Sequence, residues 1–120
     1  MALPFRTLRE SPAVSLESDE AMIQRIVIFK LKDEYCNDTA RAEFAERTRR
    51  DLASLSQVRS VEVGVPADEA SEASWDIAIT LQFDSLADVH AYIVDPDHRA
   101  YVDGFASPKI EVRKAWNFEI

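Results

Sequence analysis

The sequence has few of the residues that build covalent frameworks or phosphate sites. Its single cysteine, Cys36, excludes a disulfide within the chain, and such sparing use of cysteine is typical of a reducing, cytoplasmic compartment. Only two glycines are present, Gly64 and Gly104. Neither belongs to a glycine-rich phosphate loop or to a Gly-x-Ser-x-Gly elbow. The sequence therefore supports neither a nucleotide site nor a serine-hydrolase site.

Long hydrophobic runs and positive charge are also scarce. No apolar run approaches the roughly 20 residues of a transmembrane helix, and the first residues lack the apolar stretch of a secretory signal. The chain has 14 Lys and Arg against 22 Asp and Glu, which gives a formal net charge of −8. Because this charge repels nucleic acids and anionic membranes, we expect neither as a partner, and we expect a cytoplasmic protein.

The hydrophobic content and the periodicity indicate one folded domain with an extension. Hydrophobic residues make up 47% of the 120 residues, which is ordinary for a globular protein of this length. Residues 1–21 lack periodicity, contain Pro4 and Pro12, and are predicted to be an N-terminal extension. Residues 22–120 are predicted to form the domain.

Four segments alternate in the way that β-strands do. They are Ile23–Leu31, Val58–Pro66, Trp75–Phe83 and Ile110–Ile120. One face of the first strand is expected to carry Ile23, Arg25, Val27, Phe29 and Leu31. The corresponding faces of the third and last strands carry Trp75, Ile77, Ile79, Leu81 and Phe83, and Ile110, Val112, Trp116, Phe118 and Ile120.

Two amphipathic helices lie between the strands. Asn37 to Thr39 caps the first, which runs to about Leu55 with Arg41 facing water. Its apolar stripe is Ala40, Phe44, Thr48, Leu52 and Leu55. The second helix follows the cap Asp84-Ser85, has the stripe Leu86, Val89, Tyr92 and Ile93, and ends or kinks at Pro96. Residues 66–74 are predicted to be a loop.

The order strand, helix, strand, strand, helix, strand predicts an α+β, ferredoxin-like fold. This βαββαβ fold has a four-stranded antiparallel sheet with both helices on one face. The opposite face is too apolar to be left in water, since it is expected to carry Ile26, Ile28, Ala78, Thr80 and Ala115. We therefore expect a homodimer in which two such sheet faces pack together.

Four stretches of the sequence resemble the stress-responsive A/B barrel, or Dabb, family. They are residues 22–32, 58–64, 74–78 and 92–98, and the resemblance covers about residues 22–120. It implies a dimeric α+β barrel, and the biochemical role of much of the family is unassigned. A more distant resemblance is to a plant branch of polyketide cyclases, which work without a cofactor. In that branch the tyrosine matching Tyr92 and the histidine matching His98 flank the substrate, with the histidine as base. A histidine of the first strand is replaced by Arg25, and one of the third strand by Ile77.

His98 and Tyr92 each admit a functional and a structural interpretation. His98 follows an Asp-Pro-Asp turn and could be a general base at a pocket mouth, or it could pin the turn by bonding to the backbone. Tyr92 lies on the inward stripe of its helix, where it could polarise a carbonyl or simply pack its ring. The other histidine, His90, is expected at the surface.

Arg25 is a charged residue on an apolar strand face, where an unpaired charge is costly. It requires either a carboxylate of its own protein or an anionic ligand, and the sequence leaves both open. The candidate internal partners are Asp76, Asp95, Asp97 and Asp103.

We therefore expect a Dabb-domain protein of unassigned biochemical role that binds a small organic ligand between sheet and helices. The predicted ligand-binding residues are Arg25, Phe29, Trp75, Ile77 and Val89. One alternative is a cofactor-independent, cyclase-like enzyme or lyase that uses His98 and Tyr92. Another is a structural dimer without a ligand. We expect no cofactor and no metal, because the possible metal-binding group lacks the spacing of a His-x-x-x-His pair; that group is Asp95, Asp97, His98 and Asp103.

Overall fold

The structure, a computed structural model, describes residues 21–120. Four strands form one antiparallel sheet in the order β2-β3-β1-β4. They are β1 (Ile23–Leu31), β2 (Ser60–Gly64), β3 (Ile77–Phe83) and β4 (Ile110–Glu119). The predicted ferredoxin-like α+β architecture is confirmed. The predicted N-terminal extension, residues 1–21, lies outside the described residues except for Ala21.

Helices connect the strands and cover one face of the sheet. They are α1 (Asp38–Ala53), the short α2 (Glu69–Glu72), α3 (Leu86–Val94) and α4 (Pro96–Tyr101), followed by a π-helical turn (Val102–Ala106). Turns of 3₁₀ helix lie at Asp33–Tyr35 and Ser107–Lys109. Within residues 21–120, no helix has the length and hydrophobicity that crossing a bilayer would require.

The predicted caps are present, and the element ends differ slightly from the prediction. The Asn37 side chain accepts a hydrogen bond from the Ala40 N–H, and the Ser85 side chain accepts one from the Asp88 N–H. The segment predicted to be a loop contains α2, which Asp68 caps by accepting from the Ser71 N–H. A capped turn of this kind satisfies its own amide groups, so it forms without an amphipathic pattern.

The core lies between the sheet and the helices. On β1 every second residue is buried, from Ile23 to Leu31, and this face meets Phe44 and Leu52 of α1. Phe29 and Phe44 pack edge to face with ring centroids 5.8 Å apart. The buried core residues are Ile23, Val27, Phe29, Leu31, Phe44, Ala45, Leu52, Leu55, Ile77, Ile79, Leu81, Phe83, Val89, Tyr92, Tyr101 and Ala106.

A β-bulge in β4 changes which side chains face the helices. Leu31 lies opposite Ile110, but Lys30 lies opposite Val112, so one extra residue of β4 is accommodated there. Ile110 therefore shares the helix face with Leu31, whereas Val112 lies on the other face. The prediction that both belong to one face is wrong at Ile110, because alternation of apolar residues does not reveal a bulge.

The face of the sheet away from the helices is open and apolar. Trp116 lies opposite Ile26 and is 44% exposed, and Phe118 is 50% exposed. Ile26 and Ile28 in turn lie opposite members of β3 on the same face, since directly opposite residues share a face. The open face is this side of the sheet; its central residues are Ile26, Ile28, Ala78, Thr80, Val112, Trp116 and Phe118, and the polar Gln24, Lys30, Gln82 and Lys114 lie among them. The prediction of Ala115 on this face is wrong, because Ala115 lies opposite Val27 on the helix face.

Candidate functional site

A hollow of about 370 Å³ lies between the helix face of the sheet and the helices. This volume is near the lower end of the range of roughly 300–1,000 Å³ typical of small-molecule sites. It is named the inner cavity here. Its sheet wall is formed by Arg25, Val27, Phe29, Ile79, Ile110, Glu111 and Arg113, and its helix wall by Leu52, Tyr92, Ile93, His98, Arg99, Tyr101, Val102, Ala106 and Ser107.

A proline turn sets the direction of the two helices that border the inner cavity. α3 ends at Val94, since Pro96 has no amide hydrogen to continue it and instead takes the first position of α4. The Asp95 side chain caps α4 by accepting a hydrogen bond from the Asp97 N–H at 2.8 Å. His98 consequently falls in the first turn of α4, where its ring turns back toward the end of α3.

His98 is buried, with 8% of its surface exposed. Its Nδ1 lies 3.2 Å from the backbone oxygen of Ile93, and because a carbonyl only accepts, Nδ1 carries the proton. Burial lowers the pKa of His98; the Ile93 hydrogen bond opposes this, and the charges of Arg99, Arg25 and Arg113 lower the pKa further. At neutral pH the ring is therefore uncharged, and its Nε2 is an unprotonated acceptor.

Tyr92 packs against His98 with ring centroids 4.1 Å apart, and against Phe83 at 5.0 Å. Its hydroxyl makes no hydrogen bond to the described residues. Burial raises the pKa of Tyr92 to about 12, although the positive charges of Arg25 and Arg113 act in the opposite direction. The hydroxyl therefore keeps its proton at neutral pH and is available as a donor.

Arg25 is 7% exposed and borders the inner cavity. Its Nη1 donates to Oδ1 of Asn117 at 3.0 Å, while its Nε is buried without a hydrogen-bond partner. In residues 21–120 it forms no ion pair with a carboxylate, so the considered pairing with Asp76, Asp95, Asp97 or Asp103 is not formed there. Burial lowers the pKa of Arg25, the nearby Tyr92 raises it and Arg113 lowers it; the guanidinium still remains charged at neutral pH.

Further charges surround the mouth of the inner cavity. Arg113 lies opposite Phe29 on the helix face of β4 and is exposed. Arg99 is held by Asp103, with Nη2 2.6 Å from the carboxylate. Glu111 is the one acidic side chain among the lining residues. The lining therefore carries three arginines and one carboxylate, in a chain whose formal net charge is −8.

The structure brings together only part of the predicted ligand-binding set. Arg25 and Phe29 line the inner cavity with Tyr92 and His98. Val89 is fully buried in the core and does not line it. Trp75 and Ile77 instead border a second, more open hollow of about 460 Å³, together with Gly64, Val65, Pro66, Ala67, Ala70, Ser71, Ser74, Asp76 and Ala78. Trp75 precedes β3, whose first residue, Ile77, lies opposite Phe29, and the ligand-binding role of both residues stays a prediction.

Asp76 forms a buried charge cluster at the far end of the sheet. Its carboxylate accepts from Nε of Arg41 and from the Leu31 N–H, both at 2.8 Å, and lies 3.4 Å from Nζ of Lys30. Burial alone would raise the pKa of Asp76, but these hydrogen bonds and charges lower it on balance. The prediction that Arg41 faces water is wrong, because this carboxylate draws it inward to 6% exposure.

Other predicted side chains lie as follows. His90 is exposed, as predicted, and Leu86 is 45% exposed rather than buried on its helix stripe. Cys36 lies 3.6 Å from the Asp76 carboxylate; burial and that negative charge raise the pKa of its thiol, which opposes nucleophilic reactivity. Among residues 21–120, no three His, Cys, Asp or Glu side chains form a group that could hold a metal ion.

Sequence reasoning missed three polar residues of the inner cavity region. Arg113 and Asn117 lie opposite Phe29 and Arg25, and Tyr101 is joined to Thr48 by a buried hydroxyl contact of 2.6 Å. Arg113 and Asn117 alternate with the apolar residues of β4, so the signal was present. It pointed to the wrong side, because after the bulge Val112, Trp116 and Phe118 face outward while Arg113 and Asn117 face the helices.

The sequence profile named Stress responsive A/B Barrel Domain (Dabb) matches residues 23–120. A comparison with curated proteins found no match. The chain is similar in structure to a dimeric protein of unknown function with a ferredoxin-like fold from Bacteroides fragilis. The two share 27% sequence identity at a TM-score of 0.67, over 82% of this chain and 96% of the other.

Two further structures have the same fold at lower identity. A Dabb family protein with a ferredoxin-like fold from Mesorhizobium loti is 20% identical with a TM-score of 0.71, over 83% of this chain and 97% of the other. A hydroxynitrile lyase from Passiflora edulis is 17% identical with a TM-score of 0.68, over 84% and 94%. With the profile matched over residues 23–120 and the ferredoxin-like sheet in place, this chain belongs to the stress-responsive A/B barrel domain family.

Proposed function

We propose that this Dabb protein binds a small organic ligand in the inner cavity. One observation carries the proposal: Arg25, Tyr92 and His98 converge on this cavity, and each keeps a hydrogen-bonding atom without a described partner. The walls around them are apolar, with Phe29, Leu52 and Ile79 among the lining residues. Apolar walls with a few convergent polar groups are typical of small-molecule sites.

A thermal-shift screen of small carboxylic and aromatic compounds, followed by NMR mapping of each hit, tests this proposal. We expect hits to raise the melting temperature and to shift the amide signals of α3 and α4. His98→Ala should weaken the effect, whereas the matched control His90→Ala, on the exposed side of α3, should leave it unchanged. If no compound stabilises the protein, or if the shifts map to the hollow around Trp75, the inner cavity is not the site.

A second candidate function is catalysis by proton abstraction. The observation that favours it is His98, whose Nε2 is unprotonated at neutral pH and whose ring packs against that of Tyr92 on the same cavity, with centroids 4.1 Å apart. Such a pair can remove a proton from a carbon acid while the hydroxyl stabilises the developing oxyanion. A hydroxynitrile lyase shares this fold, so the fold is compatible with an enzyme.

Deuterium exchange of acetylacetone in D₂O, followed by NMR, tests the catalytic candidate. Wild type should accelerate exchange above the buffer rate, His98→Ala should abolish the acceleration, and Tyr92→Phe should reduce it. His90→Ala serves as the control. Exchange at the buffer rate with wild type would leave ligand binding as the function of the cavity.

We further propose a homodimer that buries the open face. Trp116 and Phe118 expose about half of their surface there, and water contact with so large an apolar patch is unfavourable. The B. fragilis protein of the same fold is dimeric, which supports the proposal. If no second copy of the chain covers the open face, the protein is a monomer in which Trp116 and Phe118 remain exposed.

We also propose that the protein acts in the cytoplasm with neither nucleic acid nor membrane as a partner. The proposal rests on the single cysteine and on the net charge of −8. Cell fractionation with an antibody to the native chain tests the location, and recovery in the membrane pellet would contradict it.

A further inference from the structure

The inner cavity is a positively charged region on an acidic protein. Its lining carries Arg25, Arg99 and Arg113 against the single carboxylate of Glu111. Arg99 is neutralised by Asp103, so the remaining lining charges amount to two arginines and one carboxylate. A random surface of this chain would be negative, since acidic residues outnumber basic ones by 22 to 14. The arrangement favours a negatively charged ligand.

Arg25 has binding capacity that the described residues do not use. The neutral amide oxygen of Asn117 accepts a hydrogen bond from Nη1 at 3.0 Å, which leaves Nε and Nη2 without a described partner. Nε has no accessible surface, so neither water nor a ligand oxygen reaches it, and Nη2 is the donor of Arg25 that an anion in the cavity can contact. The guanidinium is a strong donor to carboxylate oxygens. A buried charge without an ionic partner is costly, and an anion beside it would offset that cost.

Tyr92 and Arg113 supply further donors to the inner cavity beside Arg25. The Tyr92 hydroxyl keeps its proton, and Arg113 approaches from the same face of the sheet, opposite Phe29. No ion pair of Arg113 is formed with the described residues. Two arginines that repel each other across one cavity are brought into a favourable arrangement by one anion between them.

The rest of the wall defines the remainder of the ligand. Val27, Phe29, Leu52 and Ile79 present only hydrocarbon to the cavity, so they suit an aliphatic chain or an aromatic ring. A volume of about 370 Å³ suits a compound with a single ring or a short chain rather than a nucleotide-sized ligand.

We propose that the inner cavity is selective for small apolar carboxylates, with the carboxylate held by Arg25 and Arg113 and the hydrocarbon part packed against Phe29, Leu52 and Ile79. This inference rests on the proposed ligand-binding function and specifies its chemical class. A neutral isostere of the same shape would leave the guanidinium without an ionic partner and is rejected.

Matched carboxylate and amide pairs test the selectivity: benzoate with benzamide, phenylacetate with phenylacetamide, and hexanoate with hexanamide. Affinities are measured by isothermal titration calorimetry on the full chain. We expect the best carboxylate to bind roughly tenfold or more tightly than its amide, and its affinity to fall as sodium chloride is raised.

Two substitutions assign this preference to the arginines. Arg25→Gln should remove the carboxylate preference, and Arg113→Gln should reduce it severalfold. Arg59→Gln is the control, since Arg59 is exposed, pairs with Asp84 and lies outside the inner cavity. Circular dichroism confirms that each variant is folded. If Arg25→Gln does not fold, Arg113→Gln and the salt dependence of wild type decide the question.

The outcomes separate this inference from the function on which it rests. Amides that bind as tightly as carboxylates overturn the anion selectivity but leave ligand binding intact. A carboxylate preference unchanged in Arg113→Gln and insensitive to salt also overturns it. If neither member of any pair binds to wild type, and the thermal-shift screen is negative, both proposals fail together.

Discussion

Within the inner cavity, His98 is the residue type whose ordinary pKa is nearest to neutral pH. Its Nδ1 proton is committed to the Ile93 carbonyl, so a further proton would go to Nε2 and place a charge near Arg25 and Arg113. Burial and those arginines lower the pKa of His98. The folded protein therefore resists protonation at this site more than the unfolded chain does.

This resistance predicts a loss of stability as the pH falls. An unfolded histidine binds its proton around pH 6.5, whereas the folded ring does so only at lower pH. The contribution of His98 to stability is thus complete above about pH 6.5 and decreases below it.

Urea unfolding at about pH 7.5 and about pH 5.5 tests this. Between these two pH values the free energy of unfolding should decrease less for His98→Gln than for wild type. His90→Gln should behave like wild type, and an equal loss in all three proteins would contradict the assignment. Carboxylates with lowered pKa, such as Asp76, lose their contribution to stability only below about pH 4.

Two buried tyrosines, Tyr92 and Tyr101, are expected to differ in how much their hydroxyls contribute to stability. The Tyr101 hydroxyl lies 2.6 Å from that of Thr48, which is fully buried. Tyr101→Phe leaves the Thr48 hydroxyl without this partner, so we expect the free energy of unfolding to decrease by about 1–3 kcal/mol. Tyr92→Phe removes a hydroxyl without a described partner and should change it by less than about 1 kcal/mol. Chemical denaturation of both variants checks this, and a larger loss for Tyr92→Phe would contradict it.

At the scale of secondary-structure elements, Asp76 joins three parts of the fold. It precedes β3, receives the N–H of Leu31 at the end of β1, and pairs with Arg41 of α1. Its side chain has no exposed surface. A buried pair of this kind becomes strongly unfavourable when one partner loses its charge.

We therefore expect Asp76→Asn to lower the free energy of unfolding by about 3–5 kcal/mol. Asp84→Asn is the matched control, because its pair with Arg59 is exposed on both sides; it should cost no more than about 1 kcal/mol. Equal losses in urea denaturation would show that Asp76 is no more important than a surface acid.

The Asp76 cluster includes a contact that could not be predicted from the sequence. Alternation and capping residues were sufficient for the four strands, for α1 and α3, and for the inward position of Arg25. They were not sufficient for Arg41, which lies on a helix side that looks polar in the sequence. Its inward orientation depends on a carboxylate 35 residues away, and no local pattern encodes such a pairing. The bulge in β4 is equally invisible, since it depends on the register with β1.

The inner cavity was predictable only in part, because some of its residues meet through local sequence and others only through strand pairing. Tyr92 and His98 lie on two consecutive helices, α3 and α4, joined at Asp95, so their proximity follows from local sequence. Arg25 meets them only through the sheet, and Arg113 and Asn117 meet Arg25 only through strand pairing. Trp75 appeared to continue the inward face of the third strand, but β3 begins only at Ile77, which lies on that face opposite Phe29.

At the scale of the whole molecule, the open face predicts self-association. We expect sedimentation equilibrium at micromolar concentration to give the mass of a dimer. Trp116→Glu places a charge on the open face, opposite Ile26, and should shift the protein to monomers. Val94→Glu is the matched control, because Val94 is 70% exposed at the end of α3, and it should remain dimeric. A wild-type monomer, or dissociation by both variants to the same extent, would contradict the proposed dimer.

The alternation along β4 has a consequence for how relatives of this protein can diverge. After the bulge, odd-numbered residues such as Arg113 and Asn117 face the helices, and even-numbered ones such as Trp116 and Phe118 face outward. β4 therefore contains two interleaved sets of residues, one on each face of the sheet, and a substitution in one set need not affect the other face. Changes in the odd set would alter which compound is accepted without disturbing assembly, and changes in the even set would do the reverse. A single-residue deletion in the strand would exchange the two sets, so insertions and deletions should be rarer there than substitutions.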